Sequence, residues 1–149
     1  FFAGMHYWYP VVTGRLLNET RAKVAFWLNF VGINLLWFPM FIAGYYGMPR
    51  RYFDYLPEFE IYHQISGVGA AVILAGLVLM FYNFLSCWKK GELSGTNPWN
   101  ATTLEWHLPS SPPPLENHTK VPYVDFNPYE YHHGEPVVKF DYETMKRID

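Results

Sequence analysis

The stretch VAFWLNFVGINLLWFPMFIAGYY, Val24 to Tyr46, runs for 23 residues without an Asp, Glu, Lys, Arg or His. As a helix rising 1.5 Å per residue it spans about 34 Å, enough to cross a bilayer. A second run, ISGVGAAVILAGLVLMFYNFLSCW from Ile65 to Trp88, has 24 such residues, and Ser66, Asn83 and Ser86 are its strongly polar members. A chain of 149 residues cannot bury two such helices inside itself as a large soluble protein would. The expected fold class is therefore all-α membrane: two transmembrane helices in a larger helix bundle, followed by an extended, Pro-rich C-terminal arm.

Composition agrees with this reading. Half the residues are apolar and only 16% are charged, which excludes disorder for most of the chain. Aromatics reach 20%, an excess that membrane interfaces and cofactor-lined interiors use. A net charge of −2, with no Lys/Arg tract longer than two, excludes a nucleic-acid binder. The single cysteine, Cys87, excludes an internal disulfide and reads as a small apolar filler.

The chain divides into three segments. Residues 1–23 hold an aromatic start, Phe1 to Pro10, too short to span and lacking the charged start of a signal peptide, and then a polar loop. That start reads as the last turns of a helix begun upstream, in a cleaved piece, a separately encoded part of a split protein, or one segment of a longer chain. Residues 24–88 form the hairpin. Residues 89–149 form the arm, where Pro98, Pro109, Pro112 to Pro114, Pro122, Pro128 and Pro136 forbid long helices. The arm also carries Trp99, Trp106, Tyr123, Phe126, Tyr129 and Tyr131, which need a surface to bury against, expected on another polypeptide.

Orientation follows from the basic residues, which concentrate on the inner side. Arg15, Arg21, Lys23, Lys89 and Lys90 flank the hairpin, against Arg50 and Arg51 in its loop, so both flanks and the tail are placed inside. Trp8, Tyr9, Trp88 and Trp99 then read as an inner aromatic belt, and Tyr45, Tyr46, Tyr52, Tyr55 and Tyr62 as an outer one. On the inner side the sequons at Asn18, Asn100 and Asn117 would stay unmodified.

Metal or catalytic candidates are weak. His6, His63, His107 and His118 are isolated, and adjacent residues such as His132 and His133 point to opposite faces of an extended chain, so a solvated or partner-contacting pair is expected. Asp54, Glu58 and Glu60 read as a solvated acidic rim, with a proton-release or cation site as the alternative. Within the helices, Asn29 and Asn34 are expected to bond to neighbouring helices. Pro39 is expected to kink the first helix. Gly67, Gly69, Ala70, Ala71, Ala75 and Gly76 are expected to form a small-residue face for close packing.

Gly47-Met48-Pro49-Arg50-Arg51-Tyr52 differs in kind. Two guanidiniums sit just beyond a membrane helix, where an unpaired charge costs free energy and a paired one is typically functional. Arginine's planar fork suits carboxylates bidentately, so the pair can hold the carboxylates of a cofactor standing upright in the bundle. Gly47 and Pro49 would stiffen the turn that aims them. A lipid-headgroup anchor stays open as the plainer alternative.

Taken together, the run from Gly47 to Tyr55, the run Asn97-Pro98-Trp99-Asn100-Ala101-Thr102-Thr103-Leu104-Glu105-Trp106 and the prolines 112–114 resemble subunit I of aa3-type haem–copper cytochrome c oxidase. The resemblance covers nearly the whole chain, as the end of the tenth helix, the last two helices and the tail. Tyr7-Trp8-Tyr9-Pro10 and Gly14-Arg15 to Glu19 fit the preceding loop, and Asn127-Pro128-Tyr129-Glu130-Tyr131 is more similar to bacterial members than to mitochondrial ones.

The resemblance implies reduction of O2 to water with electrons from cytochrome c, coupled to proton pumping. It implies haem a beside this chain, and haem a3 and CuB in the same complex, ligated by residues upstream of Phe1, so that no metal ligand and no catalytic residue falls here. It implies, as partners, the remainder of subunit I, subunits II and III and cytochrome c or an equivalent electron donor, within a bacterial plasma membrane, with the mitochondrial inner membrane as the alternative. Arg50 and Arg51 match the pair that contacts haem propionates. Trp37 and Met40 on the first helix, and Leu77 and Met80 on the second, would pack near haem a; residues three apart share a helix face. Met40 and Phe41 depart from the family, which commonly carries glutamine and histidine there. The competing reading is a non-catalytic two-helix accessory subunit that binds neighbouring subunits and no haem, and a further one is a lipid-anchored interaction module.

Overall fold

The computed structural model describes residues 1–51, 53–106 and 110–113 and, further along the tail, the backbone of 129, 131–132, 135–136, 139–141 and 146–148. Expectations for Tyr52, His107, His118, His133, Tyr123, Phe126 and the sequon at Asn117 lie outside the described residues, as do those for the side chains of Tyr131 and His132. The chain forms two compact units, Asn18–Leu85 and Phe1–Leu17 with Ser86–Asp149.

In the first of these units, helix α2 (Glu19–Tyr45) starts five residues before the apolar run. Asn18 explains the early start: its side-chain oxygen accepts from the Arg21 backbone N–H at 2.9 Å, satisfying a donor that the first turn would leave open. Glu19 in that turn favours the positive helix end and pairs with Lys23 at 2.7 Å. Helix α3 (Glu60–Lys90) comes after a single 3₁₀ turn, Pro57–Phe59, and closes on Lys89 and Lys90, where cations suit the negative helix end. Both helices are long and apolar enough to cross a membrane. Only 17% and 22% of their apolar windows are buried within the chain, so most of that surface faces outward, unlike the core helix of a soluble domain.

The two helices meet through glycine. A methyl group added at Gly69 would lie 2.5 Å from the Leu36 amide nitrogen, and one added at Gly32 would lie 2.7 Å from Ile73 Cγ1. At Gly76 it would stand 2.6 Å from Asn29 Nδ2. Backbones this close leave no room for a Cβ. The expected single small-residue face is in fact split: Gly69 and Gly76, two turns apart, point at α2, while Gly67, Ala70, Ala71 and Ala75 are exposed. At about 100° per residue, Gly67 and Ala71 fall on the opposite side of the helix from Gly69.

Polar groups are satisfied in two ways. Pro39 leaves the Leu35 carbonyl without its helical donor, and one residue further the Leu36 carbonyl accepts from the buried Ser66 hydroxyl across the pair at 2.9 Å. Asn83, fully buried, donates to the Asn18 carbonyl at 3.0 Å. Among the described residues, Asn29 and Asn34 each donate to the carbonyl four residues earlier in their own helix, at 2.8 Å. A short amide reaches its own turn without needing a partner helix.

In the other unit, α1 (Phe2–Thr13) passes through Pro10 and ends at Gly14 in the left-handed conformation, φ 69°. Residues 14–16 run antiparallel to the segment after α3: Leu16 N–H donates to Glu92 O at 2.8 Å, Ser94 N–H to Gly14 O at 3.1 Å, and the Arg15 guanidinium to Gly91 O at 2.7 Å. The Asn97 side chain clamps Ala101, donating to its carbonyl at 2.7 Å and accepting from its N–H at 2.9 Å. That clamp turns the loop so that Trp99 donates to Tyr7 O at 2.9 Å and Trp106 packs edge-on against the Tyr7 ring at 5.0 Å. Trp106 is 1% exposed. Within this chain Trp106 thus buries against α1, whereas Trp99, held by one hydrogen bond, stays half exposed. Tyr9 also packs inward rather than joining an aromatic belt. Further along, Tyr131–His132 pairs with Glu135–Pro136 (β1, β2) and Lys139–Asp141 with Lys146–Ile148 (β3, β4), both antiparallel.

Candidate functional site

The turn after α2 is built to stop the helix and present the two arginines beyond it. Gly47 N–H donates to Gly44 O and Met48 N–H to Ala43 O, both at 3.1 Å, while Gly47 takes φ 90°. This paired closure on a left-handed glycine is a Schellman motif, which caps carbonyls that the last helical turn leaves open. Pro49 then fixes the next φ and prevents any return to helix. Arg50 and Arg51 come next, both exposed.

Arg51 itself has φ 59°, a region that bulky side chains seldom occupy. Such strain at an arginine costs about 1 kcal/mol or more and clusters at functional positions. Among the described residues neither guanidinium makes an ion pair; Glu19 with Lys23 is the pair observed. Each fork therefore offers five N–H donors to a partner outside these residues. Downstream, Asp54 Oδ1 accepts from the Tyr55 N–H at 2.8 Å. The Tyr55 ring stacks on His63 of α3, with centroids 4.0 Å apart and planes at 22°. Phe59, 5% exposed, seats the 3₁₀ turn. The acidic rim resolves into separate local contacts, with Glu60 accepting from Gln64 at 2.9 Å.

The four apolar candidates do not form one cluster. Trp37 is 65% exposed, one turn beyond Ile33 on the outward side of α2, and Met40 is half-buried. Leu77 is half-buried, whereas Met80 is buried inside the hairpin. The Ser66–Leu36 bond sets the register, so Trp37 lies level with the residues around Ser66. Leu77 lies eleven residues beyond Ser66, about 16 Å along the axis. Trp37 and Met40 are thus the pair near the Arg turn, and Leu77 and Met80 lie toward the other end of the hairpin. The Tyr55–His63 stack had no sequence signal, since an isolated Tyr and an isolated His eight residues apart across a turn carry no periodicity.

The family described as cytochrome c and quinol oxidase polypeptide I matches residues 1–72, a span that includes α1, α2, the Arg turn and the start of α3. Cytochrome c oxidase subunit 1 of Thermostichus vulcanus is 41% identical over 130 residues, 87% of this chain and 23% of that protein. The subunit 1 of Bacillus sp. (strain PS3) is 43% identical over 125 residues, 82% of this chain and 20% of that protein. The subunit 1 of Bacillus subtilis (strain 168) is 40% identical over 125 residues, with the same coverage. The chain spans between a fifth and a quarter of the length of these relatives, within their C-terminal part. Membrane-length helices, a capped turn carrying the Arg pair and these matches beyond the hairpin agree, and the chain belongs to the cytochrome c and quinol oxidase polypeptide I family.

Proposed function

We propose that this chain is the C-terminal part of the catalytic subunit of a terminal respiratory oxidase, an aa3-type enzyme that reduces O2 to water with electrons from cytochrome c and pumps protons. Its own contribution is to hold haem a by its propionates, through Arg50 and Arg51, and to pack the bundle around it. The observation that carries this reading is the pair of exposed guanidiniums, without an ion pair among the described residues, on a Schellman-capped turn at the end of a membrane-length helix. Carboxylates are the partners whose geometry fits two such forks. When bound, haem a supplies the electron relay between the donor and the site of O2 reduction.

Arg50 and Arg51 neutralise two carboxylates that would otherwise sit as uncompensated charges at the rim of a low-dielectric bundle. Trp37 and Met40 offer apolar surface near the same turn, and Leu77 and Met80 pack deeper along the hairpin. Positive charge close to the iron favours the reduced state. At about 8 Å and an effective dielectric near 20, one guanidinium is worth about 2 kcal/mol, or about 90 mV for one electron. The Arg–carboxylate cluster also has a second role, changing its proton affinity with the redox state on the side where pumped protons leave.

The metal ligands for haem a3 and CuB fall in the remainder of the subunit, which with subunits II and III completes the assembly. The excess of basic residues at the hairpin flanks, together with bacterial relatives, supports a multi-pass protein of the bacterial plasma membrane with its tail in the cytoplasm. An anaerobic redox titration of the purified complex tests the reading. Arg51→Asn, chosen because Asn tolerates a positive φ, should lower the haem a midpoint by about 90 mV and reduce protons pumped per electron. An unchanged midpoint and stoichiometry would reject it.

A further inference from the structure

Among the described residues, the Arg turn is tied to the flanking helices at two places. On its N-terminal side the last bond to a helix is Met48 N–H to Ala43 O. Among the described residues, the next hydrogen bond or ring contact that ties the loop to a helix is Tyr55 stacked on His63, centroids 4.0 Å apart. Seven residues lie from Pro49 to Tyr55, a length that reaches about 23 Å when extended, so an untied loop could place its arginines almost anywhere over the helix end. Arg51 meanwhile holds φ 59°, a conformation that persists only where the surroundings enforce it. Asp54, between Arg51 and the stack, bonds to the Tyr55 N–H at 2.8 Å and so transmits the ring's position to the chain before it.

We propose that Tyr55 and His63 form a stacked clasp that sets the position of Arg50 and Arg51, making His63 and Tyr55 positioning residues for the propionate contact. The inference rests on the proposed role of the arginines. His63 stands one turn into α3, on a helix whose start is fixed by Pro57 and the buried Phe59, so one half of the clasp is anchored on a regular helix. Loss of the stack is expected to shift the loop between two arrangements several-fold.

The test is a thermodynamic cycle on the purified oxidase, read by redox titration of haem a. His63→Ala should lower the midpoint in the same direction as Arg51→Asn but by less, and His63→Phe, which keeps a flat ring, should restore it. The double variant should fall by less than the sum of the two single shifts, because part of the clasp's effect runs through Arg51 and only the part through Arg50 remains. If His63→Ala does not assemble, Tyr55→Leu cuts the same stack from the other side and should give the same shift. A wild-type midpoint in His63→Ala or Tyr55→Leu while Arg51→Asn is lowered, or additive shifts in the double variant, would overturn the clasp and leave the arginine role standing. A wild-type midpoint in Arg51→Asn would remove both.

Discussion

Replacing Gly69 by Ala should separate the hairpin. The new methyl would stand 2.5 Å from Leu36 N and 2.7 Å from Leu35 C, both backbone atoms that cannot swing aside. Restoring ordinary contact at 3.4 Å requires about 0.9 Å of movement between the helices. The Ser66–Leu36 bond lies beside this contact, and the same movement would stretch it from 2.9 Å to about 3.8 Å, beyond hydrogen-bonding range. Overpacking of about 1–3 kcal/mol then adds to the cost of a buried hydroxyl left open, about 1 kcal/mol in a membrane setting.

Gly67→Ala is the matched control, because a methyl there meets nothing within 4 Å inside the hairpin. Thermal or detergent titration of the complex, read by loss of the haem a absorbance, should show Gly69→Ala destabilised and Gly67→Ala much less so. Ser66→Ala combined with Gly69→Ala should cost less than the sum of the two, because both act on one contact. Equal stability of the two alanine variants would refute the packing register.

Trp106→Ala empties a site that is 1% exposed and should destabilise its unit by about 3–5 kcal/mol, seen as faster proteolysis of the tail, whereas Trp99→Ala, at 47% exposed, should cost less. Gly47→Ala forces a Cβ into φ 90° and should weaken the cap of α2 by about 1 kcal/mol, with Gly47→Asn milder; lower thermal stability of the complex in that order checks it.

The two spanning helices were legible because charge-free runs of bilayer length have few other uses. The Arg turn was legible for a local reason: glycine followed by proline after an apolar run spells the end of a helix, and the structure supplies the Schellman bonds that the spelling implies. Less visible was which way small residues point, since Gly67 and Gly69 are neighbours in sequence and opposites on the helix. The bonds of Asn29 and Asn34 back to their own turn are likewise not encoded in composition. Trp106 packs on Tyr7 and Trp99 bonds to its carbonyl, both ninety-odd residues earlier in the chain, contacts that no local sequence pattern announces. The strained φ of Arg51 has no sequence signal, because arginine carries no preference for it.

The most direct measurement is a density map of the intact oxidase containing this chain, read at the Arg turn. Nitrogens of Arg50 and Arg51 within about 3.2 Å of the propionate oxygens of a haem standing in the bundle are the predicted result. A map in which both guanidiniums face lipid phosphates, with the propionates paired elsewhere, would contradict it.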